Sequence, residues 1–156
     1  MWIFYDTENM DFGSRSEQLV HEIFKAWGYA VTTVKEKNTA FDMIAEKKDK
    51  KYVIEVKAAR NLLYSGQYAM QAVQKLKNAA EAEGGIPVLV ALNQMRESLK
   101  AMLHKFDPLE ILDIHNLLYM VKDNDKLKSE LLAFLNYSVD NIEIVKPNIV
   151  QPNEKS

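Results

Sequence analysis

Asp42, Glu55 and Lys57 are the residues of this chain whose types and spacing could do chemistry. The two acids sit in short apolar runs, Phe41-Asp42-Met43-Ile44-Ala45 and Tyr52-Val53-Ile54-Glu55-Val56-Lys57. Side chains alternate faces along a strand, so Glu55 and Lys57 point one way while Ile54 and Val56 point into a core. The stretch from Glu46 to Lys51 is too polar to be buried and reads as the turn joining two strands. Such a hairpin brings Asp42 beside Glu55 and Lys57. Two carboxylates and an ammonium on one sheet edge suit a divalent cation and an attacking water. The plainer alternative is a surface hairpin with a cross-strand ion pair.

The surrounding elements must hold that edge. Ser14 to Trp27 reads as a helix, because Leu19, Val20, Ile23, Phe24 and Trp27 recur on one face, and Gly28 ends it. Met1 to Tyr5 before it reads as a short strand or a packed arm. Tyr29 to Val34 has strand propensity. Ser65 to Glu83 reads as a second long helix, stopped by Gly84-Gly85. Pro87 to Leu92 is a continuous apolar run, which predicts a buried strand parallel to its neighbour and covered on both faces. A short helix over 97–105, a strand over 109–114 and helices over 116–121 and 126–137 complete the order. An antiparallel start feeding strand–helix–strand crossovers predicts an α/β fold, a mixed central β-sheet flanked by helices. Residues 1–145 are expected to form one domain and 146–156 a tail or linker.

Composition narrows the function. The chain has 156 residues, with 47% hydrophobic and 27% charged, ordinary for a globular protein with a full core. It has no cysteine, which excludes disulfides, thiolate zinc sites and cysteine nucleophiles and fits a cytoplasmic setting. The amino terminus lacks the pattern of a signal peptide. No apolar run approaches the roughly 18 residues of a membrane span, so no membrane partner is expected. The net charge of −2 argues against a protein that lives wholly on nucleic acid. Charge is uneven, however: Lys35 to Arg60 holds eight Lys/Arg against five acids. That excess suits phosphate contacts, and equally a solvated hairpin tip whose lysines protect a sheet edge. His21, His104 and His115 lack each other's ligand spacing, and no glycine-rich phosphate loop is present.

The run from Gly13-Ser14-Arg15-Ser16-Glu17 through Trp27-Gly28-Tyr29, Phe41-Asp42-Met43-Ile44-Ala45 and Tyr52-Val53-Ile54-Glu55-Val56-Lys57 resembles the PD-(D/E)xK nuclease superfamily, and within it the Mrr-type restriction endonucleases. The resemblance covers roughly residues 13 to 122. Phe41 stands where the superfamily carries its proline, and Thr39-Ala40 replaces a frequent glycine; neither change removes a metal ligand. The resemblance implies a restriction-endonuclease-like fold and a Mg2+-dependent endonuclease, with Mn2+ able to substitute, cutting DNA in a prokaryotic defence or repair setting. It implies that Asp42, Glu55 and the Val56 backbone carbonyl hold the metal and that Lys57 orients or deprotonates water and stabilises developing charge. Glu17 matches the family's helical acid, although Ser14-Arg15-Ser16-Glu17 also fits a capping box. A homodimer suits a double-strand cut. The alternative is a non-catalytic module of the same fold that binds nucleic acid or a protein.

Gln67, Gln71 and Gln74 share one helical face, and related nucleases place a glutamine near the metal or the substrate backbone. Gln71 is the preferred candidate, with Lys75, Lys47, Lys48 and Arg60 as further nucleic-acid contacts. Solvated surface is the plain alternative: exposed glutamines are good helix formers, Lys75 suits a solvated helix face, and the hairpin lysines protect a sheet edge.

Overall fold

The computed structural model describes residues 2–34, 40–57, 66–136 and 142–152. Helix α1 runs Trp2–Ala26 and is followed by β1 (Ala30–Thr33), β2 (Met43–Lys47) and β3 (Lys50–Lys57). Helix α2 (Gly66–Glu83) leads into β4 (Ile86–Ala91), α3 (Glu97–Leu103) with a 3-10 turn, β5 (Glu110–Leu112), α4 (Ile114–Met120) and α5 (Asp125–Phe134). The strands form one sheet in the order β1-β2-β3-β4-β5. β1, β2 and β3 pair antiparallel, whereas β3, β4 and β5 pair parallel. This is the mixed, helix-flanked α/β sheet that the element order predicts.

Each strand's alternation feeds two cores. Met43, Tyr52, Ile54, Val56, Val88 and Val90 face α1, α4 and α5. Val53, Leu89 and Ala91 face α2 and α3, packing on Ala69, Val73, Leu76 and Ala80. Glu55 and Lys57 share the parity of Val53, so they emerge on the α2 side. β4, with five consecutive buried residues, is covered on both faces as its apolar run predicts.

Helix α1 ends in a glycine cap. Gly28 has φ 115°, the Tyr29 amide donates to the Phe24 carbonyl at 3.1 Å, and the Gly28 amide donates to Lys25 at 3.1 Å. The rings of Phe24 and Tyr29 meet edge-on with centroids 6.1 Å apart, the apolar contact that accompanies such a cap. This cap aims the chain into β1.

Three expectations need correction. The amino terminus is neither a strand nor an arm: α1 continues back to Trp2. No proline interrupts residues 2–13, and the one glycine there, Gly13, costs a helix only about 1 kcal/mol relative to alanine. The hairpin turn is shorter than Glu46–Lys51, because Lys47 pairs with Lys50 and only Lys48 and Asp49 turn, Lys48 with φ 54°. Residues 146–152, read as a tail or linker, lie against the domain. Pro147 and Ile149 are buried, the Asn116 amide donates to the Val145 carbonyl, and the Tyr29 hydroxyl donates to the Val150 carbonyl. Proline and asparagine suppress regular structure in this segment without preventing its apolar residues from docking.

Candidate active site

The hairpin register builds the site. Met43 pairs with Ile54, which sets Asp42 opposite Glu55. The Asp42 amide donates to the Ile54 carbonyl at 2.7 Å, and the Val56 amide donates to Asp42 Oδ2 at 2.7 Å. The Asp42 side chain thus takes the place of the next β2 backbone group and is fixed on the edge of β3. Backbone groups two residues apart in a strand face the same neighbour. The Val56 carbonyl is therefore directed to the side where β2 has given way to the Asp42 carboxylate. On the other side of β3 the Leu92 amide donates to the Lys57 carbonyl at 3.3 Å, locking the end of the strand to β4.

Three carboxyls gather here. Glu55 and Glu17 both hydrogen-bond to Asp42. Glu55 is pushed up to about 9, first by burial, then by the hydrogen bond and charge of Asp42, with Glu17 adding and Lys57 opposing. Glu17 is raised to about 7 by burial, and then by the charge and hydrogen bond of Asp42. Lys57 Nζ stands 3.9 Å from Glu55 Oε1, too far for a close charge-assisted bond. One ammonium at that distance does not offset three carboxyls in a half-buried site.

The capping-box reading of Glu17 does not survive. Residue 14 lies inside α1, not at its start, and the Ser16 hydroxyl donates back to the Gly13 carbonyl. Glu17 instead reaches across from the middle of α1 to Asp42.

The remaining candidates separate into two groups. Gln71 and Lys75 line a cleft of about 230 Å3 together with Glu55, Lys57, Ala40, Tyr68 and Ala72. Gln74 does not share it and donates to Asn78 at 2.9 Å. Lys47 and Lys48 lie at the other end of the hairpin, exposed. Five residues of strand separate Lys50, the partner of Lys47, from Glu55, roughly 17 Å. The local lysine excess therefore does not surround the carboxylates. Arg60 lies outside the described residues.

The sequence reading passed over Tyr68. Its ring lies 5.9 Å from Lys57 Nζ. The signal was available: Tyr68, Gln71, Ala72 and Lys75 follow the spacing i, i+3, i+4, i+7 of one helical face.

A divalent cation fits this donor set. Among the described residues no group of three His, Asp or Glu side chains, these three carboxyls included, closes into a ready-made cage. Magnesium does not need one: it takes one or two carboxylates and keeps several waters. Asp42 and Glu55 offer hard oxygens, and a cation between them would displace the proton that burial, and then the neighbouring Asp42, favour on Glu55.

A restriction endonuclease family model, that of the Mrr catalytic domain, matches residues 8–121. The chain belongs to this family. The match spans α1 through α4 and so includes Glu17, Asp42, Glu55, Lys57, Tyr68, Gln71 and Lys75. Among solved structures, the chain resembles AF1548, a protein of unknown function, at TM-score 0.53 and 16% identity, covering 80% of this chain and 71% of that one. It also resembles the small subunit of the heterodimeric restriction endonuclease R.BspD6I, at TM-score 0.49 and 15% identity, covering 76% and 77%. No curated protein sequence matches the chain. Among the described residues no helix is long and apolar enough to cross a membrane.

Proposed function

We propose that this restriction endonuclease family member is a metal-dependent nuclease that hydrolyses phosphodiester bonds of DNA in a prokaryotic defence or repair setting. The observation that carries the reading is the Asp42 carboxylate, fixed by the Val56 amide at 2.7 Å, opposite Glu55 and on the edge that bears Lys57. Asp42, Glu55 and the Val56 carbonyl would hold Mg2+, with Mn2+ able to substitute, and the ion would neutralise charge on the scissile phosphate and activate water.

The chain's own residues do the rest. Asp42 is oriented by two backbone bonds, one through its amide and one through its carboxylate, so its geometry is set before substrate arrives. Lys57 Nζ orients the attacking water and stabilises charge developing on the phosphoryl oxygens. Glu17 supports Asp42 from the helix side, as outer partners of metal-binding carboxylates do. A homodimer would supply two such edges for a double-strand cut.

The alternative is a non-catalytic module of the same fold. It draws on the net charge of −2, which is unusual for a protein dominated by phosphate contacts. One assay separates the two. Supercoiled plasmid incubated with the protein and Mg2+ should be nicked, and chelator should stop the nicking. Intact plasmid and intact single-stranded DNA with both Mg2+ and Mn2+ would leave the binding module as the answer.

A further inference from the structure

The cleft beside the carboxylates has a shape and lining of its own. At about 230 Å3 it has room for one flat heterocycle. Ala40 and Ala72, with the smallest of side chains, leave the space open. Tyr68 stands at its side with 40% of its surface exposed, among the most exposed large apolar residues described. Gln71 brings an amide that both donates and accepts. Lys57 and Lys75 bring two cations, and Glu55 marks the end nearest the reacting edge.

These parts match one ligand class. An aromatic side wall, a two-way amide and flanking ammonium groups are what proteins use to hold a single unpaired nucleotide: base on ring, edge on amide, phosphates on lysines. A duplex keeps its bases stacked and paired, and delivering one here costs a few kcal/mol for extrusion. A strand without a partner pays none of that. We infer that the Tyr68–Gln71–Lys75 face of α2 is a nucleotide subsite, and that the substrate presents an unpaired base next to the cut: a single strand, overhang or flap. The inference deepens the nuclease reading and rests on it for the word "substrate", but the binding it describes does not require cleavage.

The same Tyr68 ring also lies against Lys57, and a role confined to that lysine would affect every substrate alike. The test therefore reads a ratio. Fluorescence anisotropy would measure binding of a labelled single-stranded DNA oligonucleotide, and of the same sequence as a blunt duplex, in Ca2+ without turnover. Wild-type protein should bind the single strand tighter. Tyr68→Ala should weaken single-strand binding roughly 5- to 100-fold, the worth of one base stacked on one ring, and leave duplex binding within about twofold. Tyr68→Trp should restore it, which guards against misfolding as the cause. Equal losses on both DNAs, a wild-type preference for duplex, or binding of neither DNA overturns the subsite. Cleavage answers separately for the nuclease: Tyr68-dependent single-strand binding with no Mg2+-dependent cleavage of either plasmid or the single strand keeps the subsite and removes the enzyme, whereas Mg2+-dependent cleavage with equal losses does the reverse.

Discussion

Two acid–lysine pairs stand at the same carboxyl edge of the sheet, one strand apart, and they are built differently. Asp113 follows β5, is wholly buried, and meets Lys100 Nζ at 2.7 Å. Its other bonds come from backbone, the His115 amide at 3.0 Å and the Met95 amide at 3.5 Å, and it caps α4. Glu55 has its lysine two residues away, yet Lys57 stays 3.9 Å off, and its closest partners are other carboxyls. The first pair is closed and satisfied. The second is crowded with like charge and opens on a cleft. Nearness in sequence produced the poorer ion pair, because two side chains on one strand face project side by side instead of toward each other. A buried acid with both its oxygens answered holds a fold together; one left short of positive charge is ready for a ligand.

The comparison breaks most visibly at the open pair. Asp42→Asn and Lys57→Ala should each lower plasmid nicking by about two orders of magnitude or more, the scale of removing a positioned charge from a hydrolytic site. Lys57→Ala should change unfolding free energy by no more than about 1 kcal/mol in urea denaturation, since the 3.9 Å ion pair it forfeits is a weak one. Full nicking by Lys57→Ala would hand water activation to another residue.

The closed pair should respond the other way. Lys100→Met leaves the buried Asp113 carboxylate without its cation, which costs up to 3–5 kcal/mol in fully buried pairs. Lys100 keeps 21% of its side chain in solvent, so about 2–3 kcal/mol is expected here. Urea unfolding reads the loss, and nicking by the folded fraction should be unchanged. A neutral result would mean that the backbone donors alone satisfy Asp113.

Titration sharpens the contrast. Glu55 is raised from its ordinary 4.5 to about 9 and Glu17 to about 7. Over that range the native state keeps protons that the unfolded chain has released, so stability falls as pH rises from about 4.5 to about 9. Melting temperatures in chelator should therefore drop across this window. Glu55→Gln should remove most of the drop, and Mg2+ should stabilise more at pH 8 than at pH 5, because at high pH fewer protons need displacing. A melting temperature flat from pH 5 to 8 in chelator would contradict the crowding of Asp42, Glu55 and Glu17. The smallest effect belongs to Glu17→Gln. It keeps the hydrogen bond and removes a charge, so nicking should slow by a few-fold while stability in chelator at pH 8 holds or rises slightly; wild-type turnover would leave Asp42, Glu55 and Lys57 as the whole site.

Much of this was legible in the residues themselves. The alternation through Tyr52–Lys57 gave both the strand and the face of Glu55, and the apolar run at 87–92 gave the parallel central strand, since burial on both sides leaves no other composition. Gly28 and Gly84 marked helix ends because their backbone lies at positive φ, 115° and 71°. What stayed hidden depends on distance. Lys100 and Asp113 are thirteen positions apart and meet only through the β4–α3 and β5–α4 turns. The hairpin lysines seemed to surround the site because they precede Glu55 in sequence, but a strand carries them away along its length. Glu17 could be read as a cap as well as a site acid, because Ser-x-x-Glu has the same spelling at a helix start and inside a helix.

The docked segment at 142–152 has a practical bearing on how this protein is handled. A chain shortened at residue 145, where composition alone would place the edge of the domain, loses Ile149 from a core position that is 1% exposed. Withdrawing a side chain of that size from the core forfeits about 1.5–3 kcal/mol, before counting the Tyr29 hydroxyl left without the Val150 carbonyl. The Gly28 turn would also lose the Pro152 ring, whose carbons come within 3.3 Å of where a side chain there would begin. Limited proteolysis should thus find 146–152 resistant until the whole molecule opens, and purified fragments ending before it should behave as a weakened protein, not a trimmed one.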